Sequence, residues 1–223
     1  MQVFENNNFL CVDKRPGFLT VPSRWGAQDP RPCELIDWSQ KKQIHLWPIH
    51  RLDEEVSGVL LFAKTPEAHR TANRWFEHHQ IQKTYEALTA SAKAPWTPEK
   101  MEVWKSHLLR GKKRAYEKPF GKEAITEAVL QSQTSSTPSG CSLWRLSPLT
   151  GRAHQLRYEL SKRELPILGD SLYGSQKNFS VPQAIALRAV ELNLSKCPEA
   201  ASLGLPQRLQ VKGLLEWSLG SAN

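Results

Sequence analysis

The sequence lacks the features of secreted, membrane-spanning and fibrous proteins. Its cysteines, Cys11, Cys33, Cys141 and Cys197, lie too far apart for a C-x-x-C redox or metal motif, so we expect reduced thiols in a cytoplasmic protein. The longest uninterrupted apolar run, Val59–Ala63, is far shorter than the ~20 residues of a membrane span. The first residues have neither the basic start nor the apolar centre of a secretory signal. These absences indicate a globular protein that is not inserted into a membrane.

Motifs for common cofactors and metals are also missing. The chain has no phosphate-cradling G-x-x-x-x-G-K and no group of His, Cys or carboxylate residues at a metal-ligand spacing. We therefore expect no cofactor and no metal.

No Gly/Ser linker divides the 223 residues, and a chain of this size can bury ~70% of its unfolded surface. The sequence predicts a single domain over residues 1–223.

Positive charge is in excess and is concentrated in one segment. Lys and Arg number 30 against 22 for Asp and Glu, so the formal net charge is +8. Six basic residues and one acid lie in Arg110–Lys122, where glycines and a proline favour a loop or hairpin. This segment also contains Tyr116 and Phe120, which suits a phosphate backbone with bases to stack on. The candidate nucleic-acid contacts here are Lys112, Lys113 and Arg114, although a solvated charged loop has the same composition.

The hydrophobic pattern predicts more strands than helices. Predicted strands are Gly58–Lys64, Thr84–Thr89, Ala124–Gln131 and Leu143–Leu149, together with Ala184–Leu194, whose pattern is that of a strand or of mixed structure. The pattern also predicts a hairpin of Phe9–Val12 and Phe18–Val21 around the turn at Pro16-Gly17. Predicted helices are Pro66–His79, with Thr65 as N-cap, and Ala153–Ser161. Because strands and helices do not alternate strictly, we predict an α+β fold around a mixed, largely antiparallel sheet with flanking helices.

Three segments carry the chemistry. His50–Lys64 (HRLDEEVSGVLLFAK) places Asp53 on a loop that enters a buried strand, Lys83–Ala87 (KTYEA) places Tyr85 on a strand, and Gly151–Leu160 (GRAHQLRYEL) combines two arginines with a histidine. Taken alone, Asp53 would be read as a cap or a salt-bridge partner. Together with Pro166–Gly174 and Ala186–Leu192, and in this order, these segments make the sequence resemble the RluA-type family of RNA pseudouridine synthases. The resemblance covers residues from about 9 to 194.

The resemblance implies a pseudouridine synthase catalytic fold and the conversion of uridine to pseudouridine in RNA. The glycosidic bond breaks, the uracil turns, and the base rejoins the ribose through carbon 5. Asp53 is then the catalytic carboxylate, acting either as nucleophile at the anomeric carbon or as base at the 2′ position. Arg157 is expected to keep Asp53 ionised as its ion-pair partner, and Tyr85 to stack on the uracil or help remove the carbon 5 proton.

The remaining site residues are assigned to RNA binding. The target base must leave its stack, and Arg51 is expected to fill the vacated space. Arg152 and His154 support the loop or contact phosphate, and Leu168 forms part of the apolar wall around the base. The segment Leu168–Gly174 is expected to support the site without taking part in the chemistry. The expected partner is structured RNA, tRNA or ribosomal RNA or both, and the protein is expected to act as a monomer.

Two other functions remain open. A catalytically inactive RNA-binding relative would keep the basic segment but lose the site residues, all of which are present. A hydrolase that cuts the glycosidic bond would need a second carboxylate at a fixed separation, and Glu54 and Glu55 lie on the same short loop as Asp53. Because few residues precede Phe9, we expect the small N-terminal RNA-binding domain of some relatives to be missing, so that the catalytic domain itself contacts the substrate.

Overall fold

The computed structural model describes residues 1–92, 96–132 and 137–220. The strands in chain order are β1 (Gln2–Glu5), β2 (Phe9–Lys14), β3 (Trp47–Pro48), β4 (Ser57–Ala63), β5 (Gln82–Ala90), β6 (Met101–Arg110), β7 (Ala115–Glu117), β8 (Lys122–Leu130), β9 (Cys141–Pro148), β10 (Leu187–Asn193) and β11 (Arg208–Gln210). The helices are α1 (Glu34–Lys42), α2 (Pro66–Glu77), α3 (Gln155–Lys162) and α4 (Leu214–Gly220). This composition confirms the predicted α+β class.

The chain divides into two compact units. The first unit contains Met1–Gln82 and Ala189–Val211, and the second contains Lys83–Arg188 and the chain from Lys212 onward. The expectation of a single domain stays a prediction.

The first unit is built around the central strand β4. Its neighbours are β2 and β10, with β1 beyond β2, β11 beside β10 and a short pairing to β3. All seven residues of β4 are buried, because both faces of the sheet are covered. On one face Val59 and Leu61 pack with Trp75 of α2, and on the other Leu60 and Phe62 pack with Trp38 of α1.

Local signals explain how β4 and α2 begin. The Thr65 hydroxyl accepts a hydrogen bond from the amide of Ala68 at 3.1 Å, and Pro66 occupies the first turn of α2, which confirms the predicted cap. Gly58 has φ of +116°, and a Cβ atom there would lie 2.0 Å from the carbonyl oxygen of Ala189. Only glycine fits this close approach of β10 to β4.

The hairpin predicted around Pro16-Gly17 is wrong. The turn is present, but Phe18–Val21 forms no strand, and β2 pairs instead with β1 and β4. After the turn the chain moves toward the start of α1, where Leu19 forms an isolated bridge to Cys33. Pairing with the apolar strand β4 leaves the residues Phe9–Val12 fully buried, and removal of their apolar surface from water favours this arrangement.

The second unit contains an antiparallel sheet in the order β5-β9-β8-β6-β7. The buried rings of Trp104 on β6 and Trp144 on β9 lie 5.5 Å apart between centroids, and the indole of Trp144 donates to the hydroxyl of Thr89 on β5. Strands β6 and β7 form a hairpin at the start of the basic segment Arg110–Lys122, for which the sequence predicts a loop or hairpin; this segment is called the basic hairpin below. This sheet gives the unit a rigid frame for Tyr85 on β5 and for α3.

Candidate active site

Asp53 lies on the turn that leads into β4. Its carbonyl oxygen accepts a hydrogen bond from the amide of Val56 at 3.1 Å, and the residue is half-buried. The preceding residue, Leu52, is buried and held by the buried Thr20 hydroxyl, which accepts from the Leu52 amide at 3.0 Å and donates to the Leu52 carbonyl at 2.9 Å. Because the amide and the carbonyl of Leu52 are both hydrogen-bonded, the backbone immediately before Asp53 has a defined position.

Lys14 holds the other side of this turn. Its side chain is 1% exposed, and its ammonium donates to the carbonyl oxygens of Arg15 at 2.8 Å, Glu54 at 3.0 Å and Val56 at 2.9 Å. Burial lowers the pKa of Lys14 to about 8, opposed by the nearby carboxylates. Sequence reasoning missed this lysine, because two of its three acceptors are backbone carbonyls some forty residues along the chain.

Arg51 is exposed at the start of the same turn. An arginine at this position could instead form a surface ion pair with Glu54 or Glu55. Within the described part of the chain Arg51 forms no ion pair, and Glu54 is bound instead by Arg31, with 2.8 Å between Oε2 and Nη1. An exposed arginine without a local carboxylate partner suits contact with a ligand.

Tyr85 lies on β5, opposite Leu146 of β9, and is half-buried. Two residues earlier, the Lys83 ammonium donates to the carbonyl oxygen of Thr150 at 3.3 Å. Burial lowers the pKa of Lys83 to about 8, and among the described residues no carboxylate pairs with it. The KTYEA segment thus places a phenol and a weakly compensated cation on one strand.

Arg157 is buried on α3 and binds Asp170. Its Nε donates to Oδ2 at 2.7 Å and its Nη2 to Oδ1 at 2.8 Å, and the two side chains are 2% and 1% exposed. The guanidinium also lies over the Tyr173 ring, 5.3 Å from its centroid. Sequence reasoning gave the segment Leu168–Gly174 a supporting role and did not assign Asp170. The position of this acid between Gly169 and Gly174, in a segment that resembles the family, was the sequence signal that could have singled it out.

Leu168 is buried within the second unit. Its amide donates to the carbonyl of Leu88 at 2.9 Å, and its own carbonyl accepts from the amide of Ala186 at 2.9 Å. These bonds fix the start of the loop that carries Asp170. The predicted role of Leu168 in the wall around the base stays a prediction.

The GRAHQ segment is anchored to β8 through Gln155. The side-chain nitrogen Nε2 of Gln155 donates to the Ile125 carbonyl at 3.0 Å and to the Thr126 hydroxyl at 2.9 Å. The side-chain oxygen Oε1 accepts from the backbone amide of Arg152 at 3.0 Å. Arg152 in turn donates from Nε to the Glu123 carbonyl at 2.8 Å. This network fixes the start of α3, and the role predicted for Arg152, support of the loop or contact with phosphate, stays a prediction.

His154 connects this segment to the basic hairpin. It has φ of 54° at the N-cap of α3, and its Nδ1 lies 3.2 Å from the Tyr173 hydroxyl. The same hydroxyl accepts a hydrogen bond from the amide of Ala115 on β7 at 2.7 Å. Tyr173 therefore ties three elements of the second unit together, and His154 takes part in that support.

The basic hairpin presents its cations to solvent. The side chains of Lys112, Lys113 and Arg114 are exposed and form no ion pair with any described residue. Its one acid, Glu117, is bound by Lys162 at 2.8 Å. The rings at this end of the hairpin are exposed as well, with 42% for Tyr116 and 78% for Phe120. Unpaired cations beside exposed rings suit a nucleic-acid surface.

The structure groups the predicted residues in two sets. Asp53 and Arg51 share one turn of the first unit, and Tyr85, Arg157, Arg152, His154, Leu168 and the basic hairpin belong to the second. The ion pair between Arg157 and Asp53 stays a prediction; the structure shows that Asp170 binds the fork of the guanidinium.

Over residues 1–92, 96–132 and 137–220, no three His, Cys, Asp or Glu side chains are grouped as metal ligands. Nor does that part of the chain contain a helix of the length and apolarity needed to span a bilayer.

Comparison with known proteins assigns the family. Residues 8–162 match the family model described as RNA pseudouridylate synthase. A tRNA pseudouridine synthase C of Vibrio vulnificus is 31% identical over 85% of this chain and 82% of its own length. The dual-specificity RNA pseudouridine synthase RluA of the same organism is 27% identical over 86% and 76%.

Solved structures agree on the fold. Human RNA pseudouridylate synthase domain containing 4 has a TM-score of 0.72 at 21% identity and covers 99% of this chain and 92% of its own. Human RNA pseudouridylate synthase domain containing 1 has a TM-score of 0.66 at 22% identity, covering 98% and 93%. The family match spans well over half of the chain, and the curated relatives extend across most of it. The chain therefore belongs to the RNA pseudouridylate synthase family and is an RNA pseudouridine synthase, an isomerase of the RluA type.

Proposed function

We propose that this protein isomerises specific uridines to pseudouridine in structured tRNA, ribosomal RNA or both, with Asp53 as the catalytic carboxylate. The observation that carries the proposal is the turn at Asp53, whose backbone is held by Thr20 and Lys14. A carboxylate on such a turn can be presented to a ribose without reorganisation. The names of two relatives, a tRNA pseudouridine synthase and a dual-specificity RNA pseudouridine synthase, favour tRNA as a substrate.

In this reaction the bond between N1 and C1′ breaks and a bond between C5 and C1′ forms, while C5 loses a proton and N1 gains one. No oxidant or group donor is consumed. Asp53 either attacks C1′ or takes the 2′ proton, and both routes use an ionised carboxylate beside a sugar that becomes electron-poor. Tyr85 is proposed to stack on the uracil or accept the C5 proton, and Arg157 to supply a fixed positive charge. Arg51 is proposed to occupy the space that the flipped base leaves.

The test is to incubate the protein with unmodified bulk tRNA and ribosomal RNA and to quantify nucleosides and free bases by mass spectrometry. An isomerase converts uridine to pseudouridine and releases no uracil. Release of uracil would indicate the hydrolase, and RNA binding without either product would indicate an inactive relative. Pseudouridine maps of total RNA from cells with and without the protein then identify the modified position.

A further inference from the structure

Trp25 is an exposed tryptophan outside all the segments discussed above. It lies in the first unit on the loop formed by residues 22–32, and 61% of its surface is exposed. The guanidinium of Arg24 lies over its ring, 5.3 Å from the centroid. Arg24 pairs with no carboxylate of the described residues. A large ring held in water beside an unpaired cation suits a ligand that offers both a flat face and negative charge.

The loop that carries Trp25 is ordered by its own side chains. Arg31 binds Asp29 with both ends of its fork, at 2.9 Å from Nε to Oδ1 and 2.6 Å from Nη2 to Oδ2. The Ser23 hydroxyl donates to the same carboxylate. The bond to Arg31, and then the bond to Ser23, hold the pKa of Asp29 below its usual range. The ring of Trp25 is therefore presented by a preformed loop, which lowers the entropy cost of binding.

The same loop is attached to the turn at Asp53. Arg31 also donates from Nη1 to Oε2 of Glu54 at 2.8 Å, and Glu54 directly follows Asp53. One arginine thus connects the Trp25 loop to the residue next to the proposed catalytic carboxylate. A nucleotide bound at Trp25 would belong to the same RNA whose uridine reaches Asp53.

We propose that Trp25 stacks on an unpaired base that flanks the target uridine, while Arg24 contacts the adjoining phosphate. The proposal rests on the proposed function and adds an RNA contact separate from the basic hairpin and from Arg51. The net charge of +8 and the unpaired Arg24 favour a single-stranded nucleic acid over an apolar peptide as the occupant. Stacking on an aromatic ring does not depend on base identity, so this contact positions the RNA and leaves the choice of sequence to other groups.

The binding test uses the full chain and a fluorescein-labelled oligouridylate of about ten nucleotides, followed by fluorescence anisotropy. Trp25→Ala is expected to weaken binding roughly 5- to 150-fold, and Trp25→Phe to retain most of the affinity. Ile36→Ala, which truncates an exposed apolar side chain on α1 of the same unit, serves as the matched control and should stay within about twofold. Arg24→Ala should lower the slope of log affinity against log salt by about 0.7.

Trp25→Ala binding within about twofold of the wild type overturns the proposal, as does an equal loss in Trp25→Phe. Steady-state kinetics with unmodified bulk tRNA give an independent reading: the loss should appear in KM rather than in kcat. If the wild type makes no pseudouridine but Trp25→Ala binds oligouridylate more weakly, the proposed function fails and the stacking contact stands. If the wild type makes pseudouridine and Trp25→Ala binds normally, only the stacking contact fails.

Discussion

Replacing Asp170 with alanine should destabilise the protein far more than loss of a surface ion pair. Asp170 and Arg157 are 1% and 2% exposed and share two hydrogen bonds of 2.7 and 2.8 Å. Alanine would remove both acceptors and leave the buried guanidinium without the carboxylate that binds its Nε and Nη2. Breaking a buried ion pair from one side costs about 3–5 kcal/mol, because the remaining charge cannot regain water.

Urea unfolding, followed by circular dichroism, measures this cost. Glu67→Ala is the matched control, because Glu67 pairs with Arg70 at 2.8 Å while both side chains are largely exposed, and such pairs contribute up to about 1 kcal/mol. In the double variant Arg157→Met/Asp170→Leu, the buried charge is gone, so part of the lost stability should return. An Asp170→Ala variant no less stable than Glu67→Ala would refute the reasoning about burial.

Three further predictions concern other parts of the molecule. Burial lowers the pKa of Lys14 from 10.5 to about 8, so between these pH values the unfolded chain holds a proton that the folded chain has released. The free energy of unfolding should therefore rise with pH in this range. Lys14→Met should remove that part of the rise in urea titrations. Combined alanine substitution of Lys112, Lys113 and Arg114 should reduce the salt slope of RNA binding by about 2, and an unchanged slope would place the RNA elsewhere. Thr65→Ala should cost about 1 kcal/mol of stability in thermal unfolding through loss of the α2 cap.

Elements with strong local patterns could be predicted from the sequence. The run at β4 is short, apolar and bounded by glycine, and α2 has its cap, its proline and a helical period of apolar residues. Helix α1 was missed, because it begins after Cys33, whose side chain makes no capping bond. Strand β6 was missed because Ser106 occupies a buried position between Trp104 and Leu108 and interrupts the apolar alternation.

The residues that support the candidate site were harder to predict than the candidates themselves. Asp53 and Tyr85 lie in segments that resemble a known family, so their positions could be named. Lys14 and Thr20 act through backbone groups far away in sequence, and no local pattern reports such contacts. Asp170 lay in a recognised segment, but only the folded chain shows that it binds Arg157 with both oxygens.

The central claim is that one ionised side chain, Asp53, carries the isomerisation. Asp53→Asn preserves the shape of that side chain and removes its charge, and Glu55→Gln makes the same change two residues along the turn as a control. Pseudouridine formed in unmodified bulk tRNA and ribosomal RNA is quantified by nucleoside mass spectrometry, with thermal unfolding to confirm that each variant is folded. The account predicts no pseudouridine above background from folded Asp53→Asn and continued formation by Glu55→Gln. Formation of pseudouridine by Asp53→Asn at a rate close to that of the wild type would contradict it.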